Sequence, residues 1–491
     1  GLEGNGQKMN GQSVNALEYV FDGAPSRSDL AGGENPTIAQ LTDPDSVQEV
    51  RIESTSSGAR YAAPATAIVT TKSGTNSLHG TFFETARNNA FGVARRIEDP
   101  VNFSAPHLVR NEFGFSMGGP VILPHLYNGK DRTFWFFAYE RYSLAQSSST
   151  LTSVPTMAMR QGDFSGLVNK NGVLLTLYDP STTHKDSACA VPNSTKTANN
   201  PYCRTPFPNN VIPSGELSPL AALYYRLVPA PTSSANPLVQ GNLTALSPSY
   251  EVVPHVTLRL DHVFDENNHA YLTYSNISAN TNTSGGPRNL GIDNPDIPAG
   301  AAYGYKDAPS TTFLTSLGYT HIFSPTFFSE LVYSQQWFSN VNISGVASDR
   351  NYESLMNLPN NFGEAGFPQI SGQIRELNGS QGGNSRVSQV ISTLDENLNK
   401  LVGRHQFEFG GRYRYDRDGD LPNGIPDKIS FGANPVALYN PSSGNNYNAY
   451  ANTGQPEGSM FLGSPGSYNV NLSPPHIHYH QMEFDAYFQD N

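Results

Sequence analysis

The chain has 491 residues, with 42 acidic against 30 basic side chains for a formal charge of −12, and is 37% hydrophobic. That balance, without any block of basic residues, excludes nucleic acid as a natural partner. No apolar run reaches the roughly 20 residues of a transmembrane helix, which leaves a closed β-barrel as the one way this chain could span a bilayer. Aromatic residues are almost all Tyr (25) and Phe (26), which suits strands and interfacial girdles, while Gly (44) and Pro (36) point to many turns.

Residues 1–75 alternate weakly and are rich in small side chains. Asn10-Gly11, Asp22-Gly23 and Gly32-Gly33 punctuate short runs there, predicting a small mixed α/β element. Over 76–491 the pattern becomes period two. Side chains along a strand point alternately to opposite faces, so this marks a sheet with one greasy and one polar side. Strands are predicted at Leu78–Ala86, Arg110–Gly119, Arg132–Leu144, Val256–Phe264, His269–Asn276, Thr312–Phe323, Thr326–Phe338, Val387–Asn397, His405–Asp416 and His478–Gln489. The clearest pattern lies in Gly403–Asp416. Phe407, Phe409, Tyr413 and Tyr415 share one parity there; Gln406, Glu408, Arg412, Arg414 and Asp416 share the other.

The connections alternate in length. Tight turns are predicted at 264–268, 323–326 and 399–404, and long polar linkers at 87–109, 145–253, 279–309, 341–386 and 418–477. Compact soluble domains rarely carry several structureless connections of this length. Outer-membrane barrels pair short turns at one end with long loops at the other. Loop lengths this variable argue against a propeller or solenoid. The predicted fold class is therefore all-β: a transmembrane antiparallel β-barrel with about ten strands present, the size of about half a large transporter barrel. Gly1 opens the chain without Met and Glu483–Asn491 falls inside an alternating segment, so both ends read as interior to a longer protein.

Several motifs invite chemistry. Cys189 and Cys203, close together in a Pro- and Asn-rich stretch, read as a local disulfide formed in an oxidising compartment. Gly114-Phe115-Ser116-Met117-Gly118 has the spacing of a nucleophile elbow, but Gly119-Pro120 follows where a helix is required. It reads as a strand with small residues on its polar face. His476, His478 and His480 share a face, yet their parity continues through Met482, Phe484 and Phe488, so they read as rim histidines rather than metal ligands. Asp416, Asp418, Asp420 and Asp427 approximate the spacing of a calcium loop, but its obligatory sixth-position glycine is Leu421 and no helices flank it. An acidic loop is the plainer reading. No cofactor is expected. Arg259, Asp261, Glu408, Arg412 and Arg414 fall on the polar, inward parity, where charges need hydrogen-bonding partners inside the barrel.

Tracts upstream carry a family likeness. Asp45–Glu53 with Thr71-Lys72-Ser73-Gly74-Thr75-Asn76-Ser77-Leu78-His79-Gly80 resembles the plug-to-barrel junction of TonB-dependent outer-membrane receptors, and more narrowly their Oar-like group, whose members often carry an N-terminal carboxypeptidase-regulatory-like domain. Asn15–Gly23 resembles a plug strand ending in its Asp-Gly turn. Asn111-Glu112-Phe113-Gly114, Met117-Gly118-Gly119-Pro120 and Lys130–Phe137 resemble the first barrel strands. Val154-Pro155-Thr156 with Arg160–Ser165 resembles the opening of the first large outside segment. These matches cover roughly residues 10–170. One departure is Ala63-Pro64-Ala65-Thr66, where family plugs often have a Gly-Gly pair.

The resemblance implies a domain division: 1–75 as the C-terminal part of an α/β plug and 76–491 as the N-terminal part of the barrel. It implies the Gram-negative outer membrane as location. It also implies binding of a solute by the outside loops and import powered by the TonB–ExbB–ExbD complex. The solute class stays open among saccharide, peptide and metal chelate; the protein is expected to be a monomer and no enzyme. A junction near Lys72 on the periplasmic side puts all the tight turns inside and all the long loops outside, and it turns the inward charges toward the plug. A surface adhesin or passive receptor on the same barrel is the alternative function, with a secreted β-rich hydrolase behind it.

Overall fold

The computed structural model describes residues 17–26, 44–54, 58–61, 65–91, 107–185, 202–227, 230–284, 305–344, 354, 357–359, 369–372, 374, 385–421, 427–440, 448–449, 452–470, 472 and 477–491. Its first unit is a four-stranded sheet of β1 (Leu17–Phe21), β2 (Ala24–Ser26), β3 (Val47–Glu53) and β4 (Ala65–Thr71), in the order β2-β1-β4-β3. β1 runs parallel to β4, and the other two pairings are antiparallel. The sheet is therefore mixed in strand direction. The helical half of the α/β expectation finds no α-helix among its described residues, only a short 3-10 turn at Pro44–Ser46. Asn10-Gly11, Gly32-Gly33 and Ala63-Pro64 lie outside the described residues.

The second unit is a ten-stranded antiparallel meander. Its strands are β5 (His79–Asn88), β6 (Leu108–Pro120), β7 (Thr133–Thr152), β8 (Leu243–Asp265), β9 (Asn268–Ser284), β10 (Tyr305–Ser324), β11 (Phe327–Ser344), β12 (Ser385–Val402), β13 (His405–Leu421) and β14 (Ile477–Asp490). Every strand pairs with its neighbour in sequence, and β5 and β14 form the edges. All ten predicted strands are present, but several run well past their predicted ends. β8 begins at Leu243 rather than Val256, its first six residues, Leu243–Pro248, lying in register with Ser147–Thr152 of β7. Those residues are mostly small and polar on both faces, so alternation could not reveal them. The predicted 399–404 turn shrinks to Gly403-Arg404, with φ +63° at Gly403, a conformation that suits glycine.

The alternation in Gly403–Asp416 has the predicted sense. Arg412 faces the small sheet, 3.4 Å from Glu18. Phe407 and Tyr413 face the other way, their ring centroids 5.7 and 4.9 Å from Phe488 and Phe484 of β14. Phe484 is 77% exposed on that outer face.

The long connections hold the largest correction. The described residues within 153–242, 357–374 and 427–470 contribute to one hydrophobic core beyond the loop end of the sheet. Phe164, Tyr224 and Tyr225 from the first segment meet Ile370 and Ile374 from the second and Ile429 and Phe461 from the third. Phe461 stacks on Tyr225 with centroids 5.1 Å apart and meets Phe164 edge-on at 5.8 Å. Arg204 ties the first segment to the third by donating from Nη1 to the carbonyls of Asn434, Pro435 and Ala437 at 2.8–3.0 Å. These segments join β7 to β8 and β13 to β14, so the cap spans most of the sheet's width.

Two outcomes check this architecture. Phe409→Arg puts a charge on the outer aromatic face at a cost of about 2–4 kcal/mol at mid-bilayer. It should block assembly, read as lost heat-modifiable gel migration; normal insertion would mean the faces are reversed. Phe461→Ala removes the cap's central ring and should destabilise the cap by about 3–5 kcal/mol. Limited proteolysis should then cut within 153–242 while the barrel keeps its heat-modifiable migration.

Candidate functional site

The contact of chemical interest lies where the small sheet meets the inner face of the barrel strands. It begins with a turn. Asp22 and Gly23 have φ of +46° and +79°, the two left-handed residues of a tight hairpin joining β1 to β2, for which Asp-Gly is a favoured pair. The turn leaves the Asp22 carbonyl unused by its own sheet and aims it at the wall. There it accepts from the Tyr271 hydroxyl at 2.8 Å and from Ser316 Oγ at 2.9 Å. A Cβ on Gly23 would come within 3.1 Å of Tyr271 Oη and 3.2 Å of Val332, so backbone conformation and space both call for glycine.

The Asp22 carboxylate has partners on both sides of the interface. It accepts from the Thr71 amide at 2.9 Å and the Thr71 hydroxyl at 2.7 Å, both at the end of β4. It also accepts from Arg259 Nη1 of β8 at 3.0 Å. Arg259 in turn donates to the Thr71 carbonyl at 3.1 Å and to Asp261 Oδ1, from Nη2, at 2.8 Å. Its guanidinium also lies 5.1 Å from the Tyr271 ring centroid. Asp261 accepts from Ser73 Oγ at 2.6 Å, in the segment leading out of the small sheet. One arginine thus gathers two carboxylates, a carbonyl and a ring.

Two further pairs cross the interface. Glu18, almost fully buried in β1, faces Arg412, which also pairs with Asp395 at 2.5 Å. Arg60 lies 3.3 Å from Glu330 of β11. Burial pushes the Tyr61 hydroxyl above its ordinary pKa, with the neighbouring Arg60 pulling the other way, so it stays a neutral donor at physiological pH. Apolar contact across the interface is slight by comparison. The small sheet clusters Tyr19, Phe21, Ala24, Ala65, Ala67 and Val69, and among the described buried residues the wall adds only Leu314. Between sheet and wall remains a cavity of about 340 Å³, bordered by Asp22, Glu49, Arg51, Arg60, Arg259 and Glu330.

Of the residues singled out from sequence, Arg259, Asp261 and Arg412 meet here. Arg414 is inward too, but its guanidinium engages Asp416 of the same strand at 2.6 Å. Glu408, near the turn end of β13, accepts from Gln406 at 3.0 Å and Asn491 at 3.2 Å, while Gln489 directly opposite it accepts from the Ala59 amide of the small-sheet unit at 2.7 Å. The calcium spacing dissolves as well. Asp416 and Asp418 are buried within β13 instead of lining a loop, while Asp427 belongs to a separate strand in the cap, where Tyr468 donates to its carboxylate. Asp420 is in β13 too. Among the described residues no three His, Cys, Asp or Glu are placed to hold a metal ion. Ser116 is buried in mid-strand and bonds Thr81 Oγ1 at 2.8 Å, and no helix follows it. Cys203 is disulfide-bonded; Cys189 and His476 lie outside the described residues.

Sequence reasoning missed Asp22 as a charge partner, having read it only as a turn residue. It also missed Glu18, Tyr271 and Ser316. Their parity marked a face, but nothing in the sequence said what that face would touch.

A family model described as outer membrane beta barrel domain matches residues 70–491. No curated protein matches the sequence. Among solved structures, the outer membrane transporter YddB from Escherichia coli is similar at 8% identity and TM-score 0.48, over 98% of this chain and 47% of that one. The siderophore receptor PirA from Acinetobacter baumannii is similar at 12% and 0.39, over 82% and 40%. The ferric-catecholate import receptor Fiu from E. coli K12, in its open form, is similar at 10% and 0.37, over 98% and 61%. The chain thus spans about half the length of the first two.

Asp22→Ala removes a buried partner from Arg259, a change that typically costs about 3–5 kcal/mol. The small sheet should loosen while the barrel stays folded. Hydrogen exchange should show faster exchange in β1 and β2, with unchanged protection in β8 to β13.

Proposed function

Since the chain belongs to the family of outer membrane β-barrel domains, we propose that it is part of a TonB-dependent transporter whose small N-terminal sheet is the plug. The outside loops bind a solute, and force transmitted from TonB–ExbB–ExbD displaces the plug so that the solute passes through the barrel. The narrower Oar-like assignment rests on the junction motif from Thr71 to Gly80. No chemistry on the solute is part of this reading.

The observation that carries it is the character of the interface around Arg259. A sheet meant to stay in place would be held by continuous apolar packing, which has no partner to exchange. This one is held by charges and hydrogen bonds: Asp22 with Arg259, Glu18 with Arg412, Arg60 with Glu330. Water can take over each of those contacts as the sheet moves, since hydrogen bonds made in the protein replace ones made with water at modest net gain. The cavity beside the Asp22 turn supplies room where that exchange can begin. In this reading Arg259 is the latch, because among the described residues it joins the turn, the end of β4 and the wall.

The cap suits solute capture outside, with the disulfide at Cys203 and the Arg204 contacts stiffening it; Cys189 is the proposed partner. A surface adhesin would use the same barrel and cap without import. The two separate in cells producing the complete protein. Growth or uptake on the transported solute should be lost on deleting TonB, and Arg259→Ala should change uptake severalfold without lowering surface abundance. Surface binding that persists without TonB, with no uptake at any stage, would instead assign the adhesin role. Recovery of the protein in a soluble extracellular fraction would overturn both.

A further inference from the structure

Most of the inner wall satisfies its own hydrogen bonds. Ser334 of β11 and Thr393 of β12 bond each other at 2.6 Å, and Arg412 and Arg414 of β13 are held by Asp395 and Asp416. Just outward, toward the cap, that self-sufficiency stops. Gln336 of β11 and Gln389 of β12 are 2% and 1% exposed, yet neither the carboxamide oxygen nor the nitrogen of either has a hydrogen-bond partner. The Oδ1 of Asn340, one turn of the pleat further along β11, is likewise buried and unpaired.

The strand register places the three together. Gln389 lies opposite Phe338, whose ring is buried, and Gln336 and Asn340 are the next inward-facing residues on either side of Phe338 along β11. Three carboxamides therefore surround one phenyl ring. Inward-facing Val332, which touches Gly23 of the plug turn, sits four residues from Gln336 on the turn side. The cluster thus lies immediately outward of the plug tip, on the path between cap and latch.

Buried carboxamides without partners are uncommon and costly, and neighbouring Ser, Thr and Arg groups on this same wall show that pairing was available. Their chemistry is specific. Each amide offers donors and an acceptor, the charge in register with them is the buried carboxylate of Asp418 opposite Gln389, and the nearby cations Arg412 and Arg414 are already engaged. That set suits vicinal hydroxyl groups, which donate and accept at once, with a phenyl face for the C–H side of a sugar ring. An anionic chelate would find no free cation in this cluster.

We propose that Gln336, Gln389 and Asn340, arranged around Phe338, form a saccharide subsite on the inner wall, occupied as the solute leaves the cap and reaches the displaced plug. The subsite rests on the transporter reading above and names the class of its cargo. Both glutamines are almost fully buried in this structure.

The test uses the complete purified protein in detergent, with maltohexaose, cellohexaose and xylohexaose as neutral probes, tetragalacturonate as an anionic one and hexaglycine as a peptide. By titration calorimetry at least one neutral oligosaccharide should bind. Gln336→Leu with Gln389→Leu should weaken it at least tenfold, while the melting temperature holds or rises because unpaired amides are gone. The single change Gln389→Met guards against a packing failure in the double variant and should weaken binding in the same direction. Failure of every neutral oligosaccharide to bind, preference for tetragalacturonate or hexaglycine, or unchanged affinity in the glutamine variants would overturn the subsite. So would lower melting with no bound saccharide, which would mean the amides hold structural water. These measurements need no TonB. A protein that binds saccharide but imports nothing would sink the transporter reading alone, and TonB-dependent uptake without saccharide binding would sink the subsite alone.

Discussion

Arg259 is the point on which the two units of this protein depend for their alignment. A guanidinium on the inner face of a barrel strand must find acceptors, because water reaches it poorly and an unpaired buried charge is costly. Here the acceptors come from both units: Asp261 on its own strand, and Asp22 and the Thr71 carbonyl on the small sheet. Satisfying one side chain therefore fixes where the sheet sits. Tyr271 and Ser316 add their hydroxyls to the Asp22 carbonyl, and Gly23 lets the turn approach close enough to receive them. The other cross-unit pairs, at Arg412 and Arg60, limit rotation about that point.

The outer face answers to a different solvent. In lipid, backbone polar groups have no water to fall back on, so each strand must be paired along its length by its neighbours. A meander in which every strand pairs with the next in sequence meets that demand for the eight strands between the edges β5 and β14, with the shortest connections at the turn end. Aromatic residues such as Phe407, Tyr413, Phe484 and Phe488 then pack against each other across strands on the outward side. The two faces thus divide the labour. The outward one is apolar, and the inward one carries the charges that meet the small sheet.

Above the sheet, the cap shows how far a polar loop can be from structureless. Val154, Phe164, Leu177 and Ile212 are widely spaced in their segment, and each alone would be an ordinary loop hydrophobe. Packed with Ile370, Ile429 and Phe461 they make a core that meets the barrel at Leu243, the first residue of β8. Buried asparagines take the place of regular secondary structure in satisfying the chain. Asn210 donates to the carbonyls of Phe164 and Leu175 and accepts from the Leu177 amide at 2.7 Å. Such a cap can present a defined surface to a solute, which loose loops could not.

Taken by itself, the sequence determined what period and turn chemistry can encode. The parity of Arg259, Arg412, Phe407 and Tyr413 assigned their faces, Asp22-Gly23 marked a hairpin turn, and the alternation of short and long connections implied a barrel. Those are local properties, set by the two-residue repeat of a strand and by which residues tolerate positive φ. Only the tertiary structure decided what met what. The strand ends in Leu243–Pro248 escaped because backbone pairing there needs no side-chain pattern, and the cap escaped because its core is assembled from three distant segments. Glu408 had the inward parity of Arg412, but its carboxylate is taken by Gln406 and Asn491 beside it. Asp22 became a charge partner, and Gln336 and Gln389 became neighbours, because pairing register joins residues that no spacing along the chain connects.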